Sequence, residues 1–110
     1  MNDILILSAV RTAIGTFGGS LAGFAPHQLG AIAAKAALER AGVMGGQVGH
    51  VVFGHVINTE PKDMYLSRLA AMNAGIPAET PAMNVNRLCG SGAQAIVSAV
   101  QALMLGDADF

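Results

Sequence analysis

Residues 82–105 read Ala82-Met83-Asn84-Val85-Asn86-Arg87-Leu88-Cys89-Gly90-Ser91-Gly92-Ala93-Gln94-Ala95-Ile96-Val97-Ser98-Ala99-Val100-Gln101-Ala102-Leu103-Met104-Leu105. The pattern changes midway. Ala82 to Leu88 is short and mostly apolar, as a buried strand is. Cys89 to Leu105 places Cys89, Gly92, Ala93, Ile96, Val100, Leu103 and Met104 on one face of a helix. The lone cysteine therefore stands where a strand ends and a glycine-opened helix begins. Gly106 suits the helix exit, and Gly106-Asp107-Ala108-Asp109-Phe110 reads as a turn into a further strand just begun.

The same alternation runs upstream. Asp3 to Val10 is an almost unbroken apolar run, which predicts a strand covered on both faces. Arg11 to Ala25 is a glycine-rich loop. Pro26 suits the first turn of a helix and Gly42 its C′ position, with Leu29, Ile32, Ala33 and Ala36 on one face and Lys35, Glu39 and Arg40 on the other. Gly45 and Gly46 turn into a second strand, Val48 to Ile57. A polar loop, Asn58 to Asp63, precedes a helix from Met64 to Ala74 with Leu66, Leu69 and Ala70 inward. Gly75 and Pro77 end it. The order β-α-β-α-β-α, with short loops and buried strands, predicts an α/β fold: a mostly parallel sheet with helices on both faces. No repeat, low-complexity tract or interdomain linker interrupts it.

Composition bounds the function. Of 110 residues, 53% are hydrophobic and 12% charged, against about 25% charged in ordinary domains. So few charges on so small a body predict a large interface or a place within a longer protein. The net charge of −1, with no basic stripe and no Trp, argues against nucleic-acid binding. One Cys excludes an internal disulfide and a cysteine-based zinc site, and fits a reducing compartment. Asp3 ahead of the first apolar run, without a positive region, argues against a secretory signal. Leu88 to Gly106 lacks charge and is nearly of membrane length, but its helical period and its Gly, Ser and Gln favour a buried helix over a span.

Cys89 is the candidate nucleophile. Open parallel sheets place their sites at the carboxyl ends of strands. The first N–H groups of a helix are unpaired and favour an anion, and thiolate is the reactive form of a cysteine. Gly90 and Gly92 leave the backbone uncovered for an acyl group, and the Cys89 N–H is a candidate donor to an oxyanion. The competing reading is a small buried hydrophobe, the usual state of an unpaired Cys. The other candidates are weaker. His50 and His55, five apart on a strand, face opposite ways and cannot share a metal. His27 reads as a surface residue, Asp107 and Asp109 as turn residues, and Met64, Met72 and Met83 as core filler. Gly15-x-x-Gly18-Gly19 lacks the dinucleotide spacing.

Asn86-Arg87-Leu88-Cys89-Gly90-Ser91-Gly92-Ala93, with Ala95, Ile96 and Leu103, resembles the acyl-enzyme signature of the thiolase family, the acetyl-CoA acetyltransferases and beta-ketothiolases. Ser8-Ala9-Val10-Arg11-Thr12, Ile14-Gly15, Phe17-Gly18-Gly19, Leu29-Gly30, Ala41-Gly42, Val52-Phe53-Gly54, Arg68 and Ala70-Ala71 extend the resemblance from residue 1 to 110. It implies that residues 1–110 are part of the N-terminal domain of a thiolase fold, with the C-terminal domain outside the chain. It implies a cysteine that takes an acetyl group from acetyl-CoA. A second acetyl-CoA or short acyl-CoA then attacks, giving a beta-ketoacyl-CoA and CoA, and the reverse is thiolysis. Cys89 matches the acylated residue.

No cofactor is implied, since the CoA thioesters are substrates. The family's activating His, its second Cys and its oxyanion site belong to the C-terminal half, so the 110 residues alone are expected to be inactive. A cytoplasmic homodimer or homotetramer is implied, paired through the strand before the cysteine, with neither nucleic acid nor membrane as partner.

The chain departs from the family at Arg11-Thr12-Ala13, where many members have Arg-Thr-Pro. It departs again at Lys62-Asp63-Met64-Tyr65-Leu66, where short-chain members often have Gly-Gln-Asn-Pro. Met64 and Tyr65, with Gly90, are therefore candidate acyl-CoA contacts, against packing under the helix or a subunit partner. The remaining alternatives are a related condensing enzyme of the ketoacyl synthase kind and a non-catalytic thiolase-like protein that binds lipid or assembles a complex.

Overall fold

The computed structural model describes residues 3–110. Helix α1 (Pro26–Ala41) leads through a short 3-10 turn, Gly45–Gln47, to strand β1 (Val51–Gly54). A second 3-10 turn, Pro61–Tyr65, leads into helix α2 (Leu66–Asn73). Strand β2 (Ala82–Val85) and helix α3 (Ser91–Leu105) complete the order. Strands β1 and β2 are parallel, in the register Val51 to Ala82 through Gly54 to Val85. Both the parallel pairing and the helical crossover are as the alternation predicts.

Pro26 opens α1 at a position where its missing N–H is no loss, and the Ala25 N–H donates to Gln28 Oε1 at 2.8 Å. Gly42 and Gly106 close α1 and α3 at φ of 67° and 78°, the left-handed conformation that a glycine adopts without steric cost.

Helices cover both faces of the sheet. A Cβ on Gly30 of α1 would meet the ring of Phe53 and the Ala70 methyl of α2, whereas a Cβ on Gly54 would meet the backbone of Ser91 and Gly92 in α3. Phe53 and Gly54 are neighbours in β1 and point to opposite faces, so α1 and α2 lie on one side and α3 on the other. The core gathers on the first side: Val51, Ala71 and Ile76, with Leu38, Val48, Phe53 and Ala82 against them.

The structure corrects three expectations. Asp3–Val10 forms no strand, and Leu5 and Ile6 are 72% and 80% exposed. A strand needs a hydrogen-bonded neighbour, and among the described residues none runs beside it. Ser8 Oγ instead donates to Ala37 O at 2.9 Å. Ile4 and Leu7 of this segment line a largely apolar cleft of about 580 Å³ together with Leu38, Val48 and Phe110. The other two strands are shorter than Val48–Ile57 and Ala82–Leu88, because only four residue pairs match in register.

On α1 and α3 small residues are buried and large apolar ones are exposed. Ala31 is buried while Ile32 is exposed, and Ser91 and Ala95 are buried while Ile96 and Met104 are exposed. Close backbone approach selects small residues for the contact and turns the large ones outward. Of the apolar stretch Leu88–Leu105 only 11% is buried. Its helix, at 15 residues, is shorter than the roughly 20 that a membrane requires.

Candidate active site

Cys89 sits on the turn between β2 and α3 and is exposed, which removes the buried-hydrophobe reading. The helix begins at Ser91 with Gly90 as its cap, so Cys89 stands ahead of the first turn rather than on it. The residue before it, Leu88, has φ of 49° and is the one non-glycine in the left-handed region among the described residues. That conformation costs about 1–2 kcal/mol for a residue with a Cβ.

Hydrogen bonds hold the turn there. Asn86 Oδ1 accepts from the Leu88 N–H at 3.0 Å. The Gly90 N–H donates to Arg87 O at 3.1 Å, and the Ser91 N–H to Leu88 O at 3.0 Å. The buried Ser91 hydroxyl accepts from the Arg87 N–H at 2.9 Å and donates to Leu88 O at 2.6 Å. Arg87 Nη1 donates to Gln94 Oε1 at 2.8 Å. The N–H groups of Arg87, Leu88, Gly90 and Ser91 are thus all engaged within the turn. Among the described residues the Cys89 N–H has no acceptor. A thiol and an unengaged amide on one exposed turn are the two groups that acyl transfer to sulfur requires.

Gly90 and Gly92 crown this turn. A Cβ on Gly90 would stand 3.4 Å from Arg87 O, and one on Gly92 would meet nothing within 4 Å. Packing within the chain therefore does not demand glycine at either position.

Met64 and Tyr65 are 60% and 61% exposed at the end of the Pro61–Tyr65 turn, so neither is core filler. Their segment is tied to β2, the strand that leads to Cys89. Asn84 Nδ2 donates to Met64 O at 3.0 Å, and Asn84 Oδ1 accepts from the Ser67 N–H at 2.9 Å. Beneath it lies a residue that sequence reasoning passed over. Asp63 is fully buried, and its Oδ2 accepts from the Thr59 N–H, Thr59 Oγ1 and the Glu60 N–H at 2.6, 2.7 and 3.2 Å. Its Oδ1 is buried with no partner among the described residues. The Thr59 hydroxyl and N–H, then the Glu60 N–H and the nearby His55, hold its carboxyl below the ordinary carboxylate value against the opposing effect of burial. The available signal was an acidic residue three positions after Glu60 with Pro61 between, half of a capping box.

His27 and His55 are engaged away from the turn. His27, expected on the surface, is largely covered, with its ring 3.9 Å from Glu60 and 3.5 Å from Asn73. His55 Nε2 lies 2.8 Å from Asn58 Oδ1.

The family model described as "Thiolase, N-terminal domain" matches residues 4–110. The chain is 62% identical over 107 residues to the beta-ketothiolase BktB of Cupriavidus necator, covering 97% of this chain and 27% of that protein. It is 50% identical over 109 residues to an acetyl-CoA acetyltransferase of the same organism, covering 99% and 28%. The crystal structure of human mitochondrial 3-ketoacyl-CoA thiolase superimposes with a TM-score of 0.89 at 41% identity, over 93% of this chain and 26% of that one. The same human enzyme in complex with CoA gives 0.82 at 41% identity, over 86% and 24%. The chain spans about a quarter of the length of the relatives it matches. With the family model covering all but a few residues, and the Cys89 turn lying within the matched span, this chain belongs to the thiolase family.

Proposed function

We propose that this chain carries the acyl-accepting cysteine of a longer thiolase that condenses two acetyl-CoA, or acetyl-CoA with a short acyl-CoA, and catalyses the reverse thiolysis. The observation that carries the reading is the exposed Cys89 thiol beside its own unengaged N–H, at the carboxyl end of a parallel strand.

The Cys89 sulfur attacks the thioester carbonyl of acetyl-CoA while the Cys89 N–H faces the developing oxyanion. The new C–S bond forms, the bond to CoA breaks, and CoA leaves as its thiol with the proton that Cys89 gave up. A second acyl-CoA then loses an α-proton, and its carbon attacks the acyl carbon. Cys89 departs and takes back a proton, leaving a beta-ketoacyl-CoA. The groups that move these protons are assigned to the C-terminal half, as the family resemblance implies. Open space over Gly92 supports approach of the acyl group.

The names of the Cupriavidus relatives and the CoA complex of the human enzyme support CoA thioesters as substrates. The outward Ile96, Val97, Met104 and Leu105 support a homo-oligomer, and the single unpaired cysteine supports a cytoplasmic enzyme. The test is incubation of the full-length thiolase with labelled acetyl-CoA and mapping of the adduct by peptide mass spectrometry. The label is expected on Cys89, and Cys89→Ser is expected to lose turnover. A label elsewhere, or full turnover in Cys89→Ser, overturns the assignment.

A further inference from the structure

We infer that Ser91, helped by Asn86, is a positioning residue: its hydroxyl fixes the turn that presents the Cys89 thiol and N–H to the acyl group. The inference rests on the reading of Cys89 as nucleophile. Its own support is local geometry. The Ser91 side chain is buried at 4% exposure, and its hydroxyl spans the turn, accepting from the Arg87 N–H at 2.9 Å and donating to Leu88 O at 2.6 Å. These two peptide groups flank the Arg87–Leu88 unit, and Leu88 is the residue forced to φ of 49°.

A side chain in that conformation relaxes to negative φ unless its surroundings hold it. Relaxation at Leu88 rotates the peptide that bears the Cys89 N–H, because that amide is the next one along the chain. Asn86 Oδ1 holds the same residue from the other side through the Leu88 N–H. Ser91 supplies no cap to its own helix, whose N-cap, Gly90, has no side-chain hydrogen bond. Its hydroxyl is spent wholly on the nucleophile's turn.

The role is distinct from catalysis, since the Ser91 hydroxyl is engaged at both of its bonds and sits beneath the turn. It therefore acts through Leu88 and Cys89. Loss of the hydroxyl is expected to lower the rate of Cys89 acylation and leave acetyl-CoA binding nearly unchanged. A misplacement of about 1 Å is enough for a change of about a hundred-fold in rate.

The experiment compares wild type, Ser91→Ala, Ser91→Thr and Asn86→Ala in the full-length thiolase. It reads the single-turnover rate of Cys89 acylation by acetyl-CoA, the KM, and the rate of Cys89 alkylation by iodoacetamide. Ser91→Ala is expected to acylate about ten- to a hundred-fold more slowly at unchanged KM. Ser91→Thr, which keeps the hydroxyl, is expected to regain most of the rate. A folded Ser91→Ala that acylates at the wild-type rate overturns the inference. If Ser91→Ala does not fold, Asn86→Ala decides at its exposed position: slower acylation supports the role and the wild-type rate overturns it. A wild type that alkylates at Cys89 yet takes no acetyl group sinks the thiolase reading alone. The alkylation rates then judge the turn, slower in the variants if Ser91 positions Cys89 and equal if it does not.

Discussion

Gly54 and Ser91 meet backbone to backbone: a methyl group on Gly54 would stand 2.6 Å from the Ser91 carbonyl carbon and 2.8 Å from the Gly92 nitrogen. The first turn of α3 is thus seated on β1 with no side chain between them, and the seat fixes the height of Cys89 above the sheet. Gly54→Ala must push the helix away. Overpacking of this kind costs about 1–3 kcal/mol. The melting temperature and the acylation rate of Cys89 are both expected to fall. A variant with wild-type stability and rate would show that the seat is not needed.

Gly92 is the opposite case. A Cβ there meets nothing within 4 Å, so Gly92→Ala is expected to fold at least as stably as wild type. If the acyl group passes over this position, the methyl obstructs it and kcat/KM for acetyl-CoA falls. Equal stability with unchanged kcat/KM would show that the open space serves no substrate.

Met64 is 60% exposed, so Met64→Ala is expected to change stability by no more than about 0.5 kcal/mol. Contact with the acyl chain would appear in selectivity. The ratio of kcat/KM for longer and shorter acyl-CoAs is expected to shift by roughly ten-fold, the value of a methylene or two in an apolar pocket. A constant ratio removes Met64 from the substrate site.

Asp63 gives the fold a dependence on acid. Its native carboxyl is held below its unfolded value by Thr59 and Glu60, so the unfolded chain takes up a proton first as pH falls. The stabilisation is complete above the unfolded value of about 3.9 and is lost as pH falls through that value toward the lower native one. Asp63→Asn is expected to melt below wild type at pH 7, with the gap narrowing below about pH 4. Parallel melting curves of the two proteins down to pH 2 would refute the assignment.

The parts of the fold legible in the sequence are those set by single residues with strong local preferences. Gly42, Gly75 and Gly106 all lie at positive φ where helices end, and Pro26 opens α1. The parallel pairing of β1 with β2 follows from buried runs joined by a helix. Asp3–Val10 shows where such reading stops: its composition is that of a strand, but strand structure belongs to a pair. The buried faces of α1 and α3 show a second limit. Ranking positions by hydrophobicity puts Ile32, Ile96 and Met104 inside, whereas the contacts of Gly30 with Phe53 and of Gly54 with Ser91 depend on how closely backbones approach. At the site, the strand–cysteine–glycine order marked Cys89. Ser91 reads equally well as an ordinary polar opening to a helix, and its hold on Arg87 and Leu88 exists only once the turn is formed.

The pairing of Val51 with Ala82 joins residues 31 positions apart in the chain. Contacts of such separation demand closure of a long loop before they return any stabilisation, and they set the tempo of folding. The bonds that shape the Cys89 turn are local, within five residues, and form with the start of α3. The seat under that turn is on β1 and arrives only with the distant pairing. The Cys89 turn therefore acquires its shape early in folding and its address late, and a chain arrested between the two holds a well-formed turn with nowhere to present it.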